Sequence, residues 1–194
     1  AAHCERTCLW CARVATALSA DVACYRCRWT GGYRAIRGRW HGGPGSELPG
    51  IRFGFANQTH DQVGNRAAGE RLGTLITPAA QRLAASLLLL APHLPLLFMG
   101  EEYGEEHPFQ FFCSFHDPKL IEDVRSGRRR EFEAFHVNGG DVPDPQSEKT
   151  FAASRLTWSW ESDQHKSRLR RLYQELLRAR HEWPALRDYS QRSA

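Results

Sequence analysis

The chain has 194 residues, enough for one ordinary domain and a real apolar core. Its 26 Lys and Arg against 22 Asp and Glu leave a net charge of +4, too small a surplus for a dedicated nucleic-acid binder. Hydrophobic residues make up 41% and charged residues 25%, which excludes a generally disordered chain. The longest aliphatic run, Leu87 to Leu90 with Ala91, is broken by Pro92 and Pro95. It falls far short of the roughly 20 apolar residues of a membrane span.

The first 32 residues are atypical. They hold Cys4, Cys8, Cys11, Cys24 and Cys27, and the sixth cysteine, Cys113, lies far away. Cys8-x2-Cys11 and Cys24-x2-Cys27 have the spacing of zinc-chelating thiolate pairs. The spacer from Ala12 to Ala23 contains no Gly or Pro to shape a zinc ribbon, and no export signal favours a disulfide framework. Residues 1–32 therefore read as a segment apart, an artefact or junction first, with ordinary buried or free thiols or a zinc-binding module as the alternatives. The Gly-, Arg- and Pro-rich stretch 33–50 reads as a loop.

A strand is expected over Ile51–Ala56, ending abruptly in the polar cluster Asn57-Gln-Thr-His-Asp-Gln62. Polar residues at a strand end are the pattern of a catalytic rim in an α/β barrel. Thr77 and Pro78 start a helix by cap and first-turn chemistry, and it runs over 79–90 to the break at Pro92. Its second half is apolar all round, which predicts burial on most faces. Leu94–Met99 is an unalternated strand expected to be covered on both sides, and it too ends in acidic residues, Gly100-Glu-Glu-Tyr-Gly-Glu-Glu106. Strand, helix and strand in this order predict a parallel βαβ unit.

Phe109, Phe111, Phe112 and Phe115 form an aromatic cluster in a loop. Short helices are expected from Asp117 to about Arg125 and from Arg128 to Phe135, with Arg128-Arg129-Arg130 decorating a solvated face. Residues 138–147 are turn-rich, and Trp158 and Trp160 alternate along an extended packing segment. A last helix over 164–182, capped by Ser162 or Asp163 and stopped by Pro184, shows an apolar face at Leu169, Leu172, Tyr173, Leu176 and Leu177.

The run Asn57-Gln-Thr-His-Asp-Gln-Val-Gly-Asn-Arg66 resembles the fourth sequence region of glycoside hydrolase family 13, the α-amylase superfamily. Leu94-Pro-Leu-Leu-Phe-Met-Gly-Glu-Glu-Tyr-Gly-Glu105, Pro108-Phe-Gln-Phe-Phe112 and Phe151-Ala-Ala-Ser-Arg-Leu-Thr-Trp-Ser-Trp160 narrow the resemblance to its malto-oligosyltrehalose trehalohydrolases. It covers about 33–190, leaving 1–32 unmatched and 191–194 as a tail. Thr59 departs from the Asn usual in the family; it keeps a hydroxyl and loses the amide's paired donor and acceptor.

The resemblance implies an α/β fold: the last two βα units of a (β/α)8 TIM barrel plus a long loop, incomplete as an isolated chain, since a whole barrel takes about 250 residues. It implies cleavage of the α-1,4 bond beside the terminal trehalose of maltooligosyl trehalose, with other α-amylase-type α-glucan hydrolases or transferases as the alternative. Asp61 would be the transition-state-stabilising carboxylate, because positive charge develops on the sugar ring. His60 would bind sugar hydroxyls, with Gln62, Arg66, Glu101, Glu102 and Phe109 as further substrate-binding candidates. The nucleophile and acid/base carboxylates of the family have no match here, so the chain alone is expected to be inactive. No metal site is expected outside the cysteine pairs and no cofactor, nucleic-acid or membrane partner. The partners implied are an α-glucan and the missing barrel and C-terminal β-domain segments, in the cytoplasm.

Overall fold

The structure is a computed structural model that describes residues 32–34, 39–41, 49–133 and 141–189. The two cysteine pairs of the segment 1–32, the turn residues 138–140 and the tail 191–194 lie outside the described residues.

The stretch 33–50, expected as a loop, contains an antiparallel pair: β1 (Gly32–Arg34) and β2 (Arg39–His41). Tyr33 stands opposite Trp40 in the register, and both residue types favour extended backbone. The expected strand over 51–56 is shorter than read. Gly50–Arg52 is a single 3-10 turn, and β3 is only Gly54–Phe55. The turn has a tertiary cause. Gly50 N–H donates to Tyr189 O at 2.9 Å, and a Cβ on Gly50 would lie 2.2 Å from Pro92 O.

β4 is Leu94–Pro95 and pairs with β3 in parallel, Gly54 opposite Leu94. Leu94 N donates to Phe53 O and Leu96 N to Phe55 O. Pro95 between them has no N–H to give, so the ladder is short. The parallel pairing is the one the strand–helix–strand order predicted. Burial on both sides is not found: Leu94, Leu96 and Met99 are 42, 56 and 44% exposed. Among the described residues β4 has one neighbour, β3, and nothing covers these side chains.

After β3 comes α1 (His60–Gly64), then α2 (Leu72–Leu75) and α3 (Pro78–Leu90). Thr77 caps α3 by accepting from Ala80 N at 3.3 Å, with Pro78 at the first helical position. In the second half of α3 no residue is exposed: Ala84, Ala85, Leu88 and Leu89 are buried and Ser86, Leu87 and Leu90 half-buried, whereas Leu83 in the first half is exposed. The two short helices expected after Asp117 are one, α4 (Pro118–Glu131), capped by Asp117 on Leu120 N at 2.9 Å. Gly127 lies within it with nothing inside 4 Å of its would-be Cβ, so it neither breaks nor packs the helix. α5 (Glu148–Ala153) and α6 (Gln164–Glu182) follow, then the single turn α7 (Pro184–Arg187). α6 has the expected bounds, and Asp163 is its cap, accepting from His165 N and Lys166 N.

The core lies between α3 and α6. Ala85 and Leu89 meet Leu169 and Tyr173, with Leu97, Leu172 and Leu176 packed around them. Leu177, read as part of the α6 apolar face, falls outside the stripe and is exposed. Arg180 locks the same pair of helices. Its buried guanidinium donates to Leu89 O at 2.8 Å, to Ala91 O at 2.7 Å and to His93 O, tying α6 to the last turn of α3 and the residues just after it. Trp158 and Trp160 pack on the same residue, Tyr103, at 6.3 and 5.2 Å, and edge to face with each other at 5.8 Å. The segment is not simply extended, since Trp158 has a left-handed backbone, φ 55°, and its side chain stays 60% exposed. Among the described residues no helix is long and apolar enough to cross a membrane.

Candidate active site

The two parallel strands deliver their following residues to one rim. Asn57 and Gln58, directly after β3, are buried and act as pins. Asn57 Nδ2 donates to Ala84 O of α3 and to Glu101 Oε1, both at 3.1 Å. Gln58 Oε1 accepts from Leu72 N at the start of α2 at 3.0 Å. These bonds fix the end of β3 against α2, α3 and the rim of β4.

Thr59 is extended and caps α1, its hydroxyl accepting from Gln62 N at 3.4 Å while Thr59 O accepts from Val63 N at 3.0 Å. The hydroxyl that Thr shares with the better capping residues is what this position uses. His60 and Asp61 occupy the first turn of α1. His60 Nε2 and Asp61 Oδ1 are 3.2 Å apart, and the side chains are 73 and 78% exposed. Gln62 is also exposed. The pair is therefore presented outward from a buried base, open to a ligand. The acidic residue in the first turn of α1 is also favoured by that turn's free N–H groups.

Arg66 turns to Glu70, Nε to Oε2 at 3.2 Å, and both are half-buried. Glu101 follows Gly100, whose φ of 82° makes the sharp turn out of the β4 strand. The structure turns Glu101 inward. It is 5% exposed; Oε1 accepts from Asn57 and from Tyr173 OH at 3.0 Å, and Oε2 from Phe98 N at 3.2 Å. Burial raises its pKa against those hydrogen bonds, and burial first, then the nearby Glu101 carboxylate, raises that of the Tyr173 hydroxyl. This geometry corrects the substrate-facing reading of Glu101, because its oxygens hold the protein together. Glu102 is half-buried and adds to the negative field around Arg71.

Phe109 is half-buried, edge to face with Phe98 at 5.2 Å and with Phe112 at 5.7 Å. Phe112 continues the chain to Phe151 at 5.2 Å. The Phe109 ring covers Gly64 of α1, and Phe109 N donates to Gly69 O at 2.8 Å. Gly69 has φ 70°, and a Cβ there would sit 2.5 Å from Phe109 O. Gly69→Ala is therefore expected to destabilise the fold by at least about 2 kcal/mol, since left-handed strain and a backbone clash add. Urea unfolding checks this; a loss under about 0.5 kcal/mol would contradict the stated geometry.

Three further residues hold the rim and carry no recognisable signature in the sequence. Arg71 is buried, donating to His107 O at 2.6 Å and Met99 O at 2.7 Å, with its guanidinium over the Phe98 ring at 5.1 Å. Burial lowers its pKa, and Glu105, Tyr103, Glu101 and Glu102 oppose that shift. Glu105, 2% exposed, gathers five donors: Tyr103 OH, Glu106 N, His107 N, Thr157 N and Thr157 Oγ1. Burial acts to raise its pKa, but the hydrogen bonds outweigh it and hold the carboxyl down at about 2. Arg128, expected on a solvated face, is buried. Only the turn glycines, Gly100 and Gly104, hint in the sequence that the acidic run after β4 folds back on itself. Among the described residues no cluster of His, Cys, Asp and Glu has the makings of a metal site.

No family model matches the chain. It is 43% identical over 155 residues to the malto-oligosyltrehalose trehalohydrolase of Saccharolobus solfataricus, a match covering 80% of the chain and 26% of that relative. It is 43% identical over 166 residues to that of Deinococcus radiodurans and 39% identical over 160 residues to that of Mycobacterium tuberculosis, covering 27 and 28% of those relatives. A solved structure from Salmonella typhimurium, assigned as an α-amylase, superposes with a TM-score of 0.79 at 38% identity. That match takes in 90% of this chain and 29% of the other. The resemblance read from the residues is borne out. The chain spans between a quarter and three-tenths of the length of the relatives it matches.

Proposed function

We propose that this chain is the part of a malto-oligosyltrehalose trehalohydrolase that presents the transition-state-stabilising Asp on the barrel rim. The observation that supports it most is the match at 39–43% identity over four-fifths of the chain, together with an exposed His60–Asp61 pair after a strand end. In this reading β3 and β4 are the last two strands of a (β/α)8 barrel. Residues 33–190 belong to that catalytic barrel, 1–32 are a segment apart, and 191–194 are a tail. The substrate is maltooligosyl trehalose, and the enzyme acts in the cytoplasm.

Asp61 stabilises the positive charge that develops on the sugar ring, and His60 hydrogen-bonds hydroxyls of the reacting sugar. Gln62 flanks the pair. Arg66, Glu102 and Phe109 act from behind it, and Glu101 anchors the rim without meeting substrate. Glycoside cleavage also needs a carboxylic acid at the leaving oxygen and a second carboxylate as nucleophile. These come from the barrel segments to which this chain has no counterpart, so the 194-residue chain does not turn over alone. The uncovered Leu94, Leu96 and Met99 are where a neighbouring barrel segment would sit.

The test is a chimera in which residues 49–189 replace the matching stretch of the Deinococcus relative. It is expected to release trehalose from maltooligosyl trehalose, while the 194-residue chain assayed alone gives background. A folded chimera that releases maltooligosaccharides but no trehalose would move the assignment to another α-glucan hydrolase or transferase. Turnover by the chain alone would overturn the claim that its other carboxylates lie elsewhere.

A further inference from the structure

We propose that Arg128 is a positioning residue that latches α4 to the short helix carrying His60 and Asp61; its effect on catalysis rests on the reading of that pair given above. Arg128 stands in the run Arg128-Arg129-Arg130, yet only the first of the three is buried, at 8% exposure. Its guanidinium lies between two rings, 4.8 Å from the centre of Phe111 and 4.6 Å from that of Phe132. Nη2 donates to Arg66 O at 3.3 Å and, more weakly, to Gly64 O at 3.5 Å. Nη1 meets Glu131 Oε2 at 3.2 Å.

These contacts fall where α1 needs them. The last carbonyls of a helix have no partner within it, and a cation there is favoured by the helix dipole. α1 has five residues, far too few to hold a helix by themselves. Its shape is imposed from its two ends. Thr59 closes the first turn through its hydroxyl, and Arg128 holds the backbone just past the last. Phe109, packed over Gly64, fills the side between them. Burying a cation is costly without partners, so a run of arginines on a solvated face has no reason to place one here. The two rings and the carbonyls supply that reason. Arg125, one turn earlier on α4, is paired through two hydrogen bonds with Asp144, at 2.9 and 2.8 Å. The long segment after β4 is thus fastened at one point to itself and at another to α1.

The consequence concerns the orientation of Asp61. A carboxylate that stabilises a transition state must be held to a fraction of an ångström, and a displacement of about 1 Å from a distant change can cost 10^2-fold in rate. Arg128 sets that orientation without touching substrate.

The first measurement is amide exchange in the 194-residue chain. The N–H groups of Val63, Asn65 and Arg66, which close α1 onto Thr59 O, Asp61 O and Val63 O, report its opening. Arg128→Met keeps the length and the apolar contact with the rings but loses the donors. It is expected to speed exchange at these amides about tenfold or more, the size of a lost charged hydrogen bond, and to leave α6 amides unchanged. Arg128→Lys keeps the charge without the planar fork, and should fall between the two. Unchanged exchange at Val63, Asn65 and Arg66 overturns the latch. If the Met variant fails to fold, the Lys variant decides on the same amides.

The second measurement is kinetic. In the chimera, Arg128→Met is expected to lower kcat about 10- to 100-fold with KM within about twofold, and Lys should restore part of it. A chimera that loses activity with Asp61→Asn but not with Arg128→Met overturns the positioning role alone. A chimera indifferent to both overturns the reading of the reaction, while the exchange data still decide the latch.

Discussion

Asp61→Asn in the chimera is expected to lower kcat for trehalose release by about 10^3-fold, or roughly 4 kcal/mol at 1.36 kcal/mol per decade, with KM changed only a few-fold. The substitution keeps the shape of the side chain and removes its negative charge. That charge is worth little to the neutral ground-state sugar and much to the oxocarbenium-like transition state, so the loss should appear in kcat. The fold should be spared. Asp61 is exposed, its side chain meets the neighbouring His60 among the described residues, and α1 is held by Thr59 and Arg128 rather than by the Asp61 side chain. Kinetics over a range of substrate concentrations, with circular dichroism as a control, checks this. An Asn variant with kcat within about threefold of the parent would remove Asp61 from the chemistry.

The second large effect belongs to Glu105. Glu105→Gln is expected to destabilise the chain by about 3 kcal/mol or more at neutral pH, read as a lowered urea midpoint. The carboxylate accepts from five donors at 2.6 to 2.9 Å, three of them on Oε2. An amide in its place turns an NH2 toward donors, and each buried donor left unmet costs about 1–3 kcal/mol. The pH dependence has a fixed sign. The folded-state pKa is held at about 2 and the unfolded value is about 4.3, so the stabilisation is complete above that value. It is lost as the pH falls from about 4 toward 2. The Gln variant should lack that part of the acid transition. Glu101 responds the other way, because burial raises its pKa and acidification relieves its buried charge. A Gln variant within about 0.5 kcal/mol of the parent would show that the five donors find other partners.

These two residues illustrate what is legible in the sequence. Asp61 is marked by the resemblance of its motif to the fourth sequence region of glycoside hydrolase family 13, and the elements around it are readable from local chemistry: the Thr77-Pro78 start of α3, the Asp163 cap of α6 and the parallel order of the strands. Glu105 is one of four glutamates within six residues, and nothing local distinguishes it from Glu102 or Glu106. Its role is made by Thr157, more than fifty positions away. Arg128 is likewise one of three adjacent arginines, and only Gly64, Arg66 and the two rings select it. Strand lengths were overread for a related reason. Apolar runs mark where a strand belongs, but the ladder needs a neighbour and an N–H, and Pro95 lacks the second. The hairpin of β1 and β2 was missed because Gly- and Arg-rich composition outweighed the aromatic pair in register.

The reach of Arg180 sets an order of events during synthesis. Its partner Leu89 is 91 residues upstream. A ribosome adding about 5–20 residues per second takes roughly 5 to 18 s to bridge that gap. For most of this interval α3 has been made while Leu169 and Tyr173, which cover its apolar stripe, are still to come, and Arg180, which bonds Leu89 O, comes last. The nascent chain therefore carries an uncovered, leucine-rich helix end for seconds.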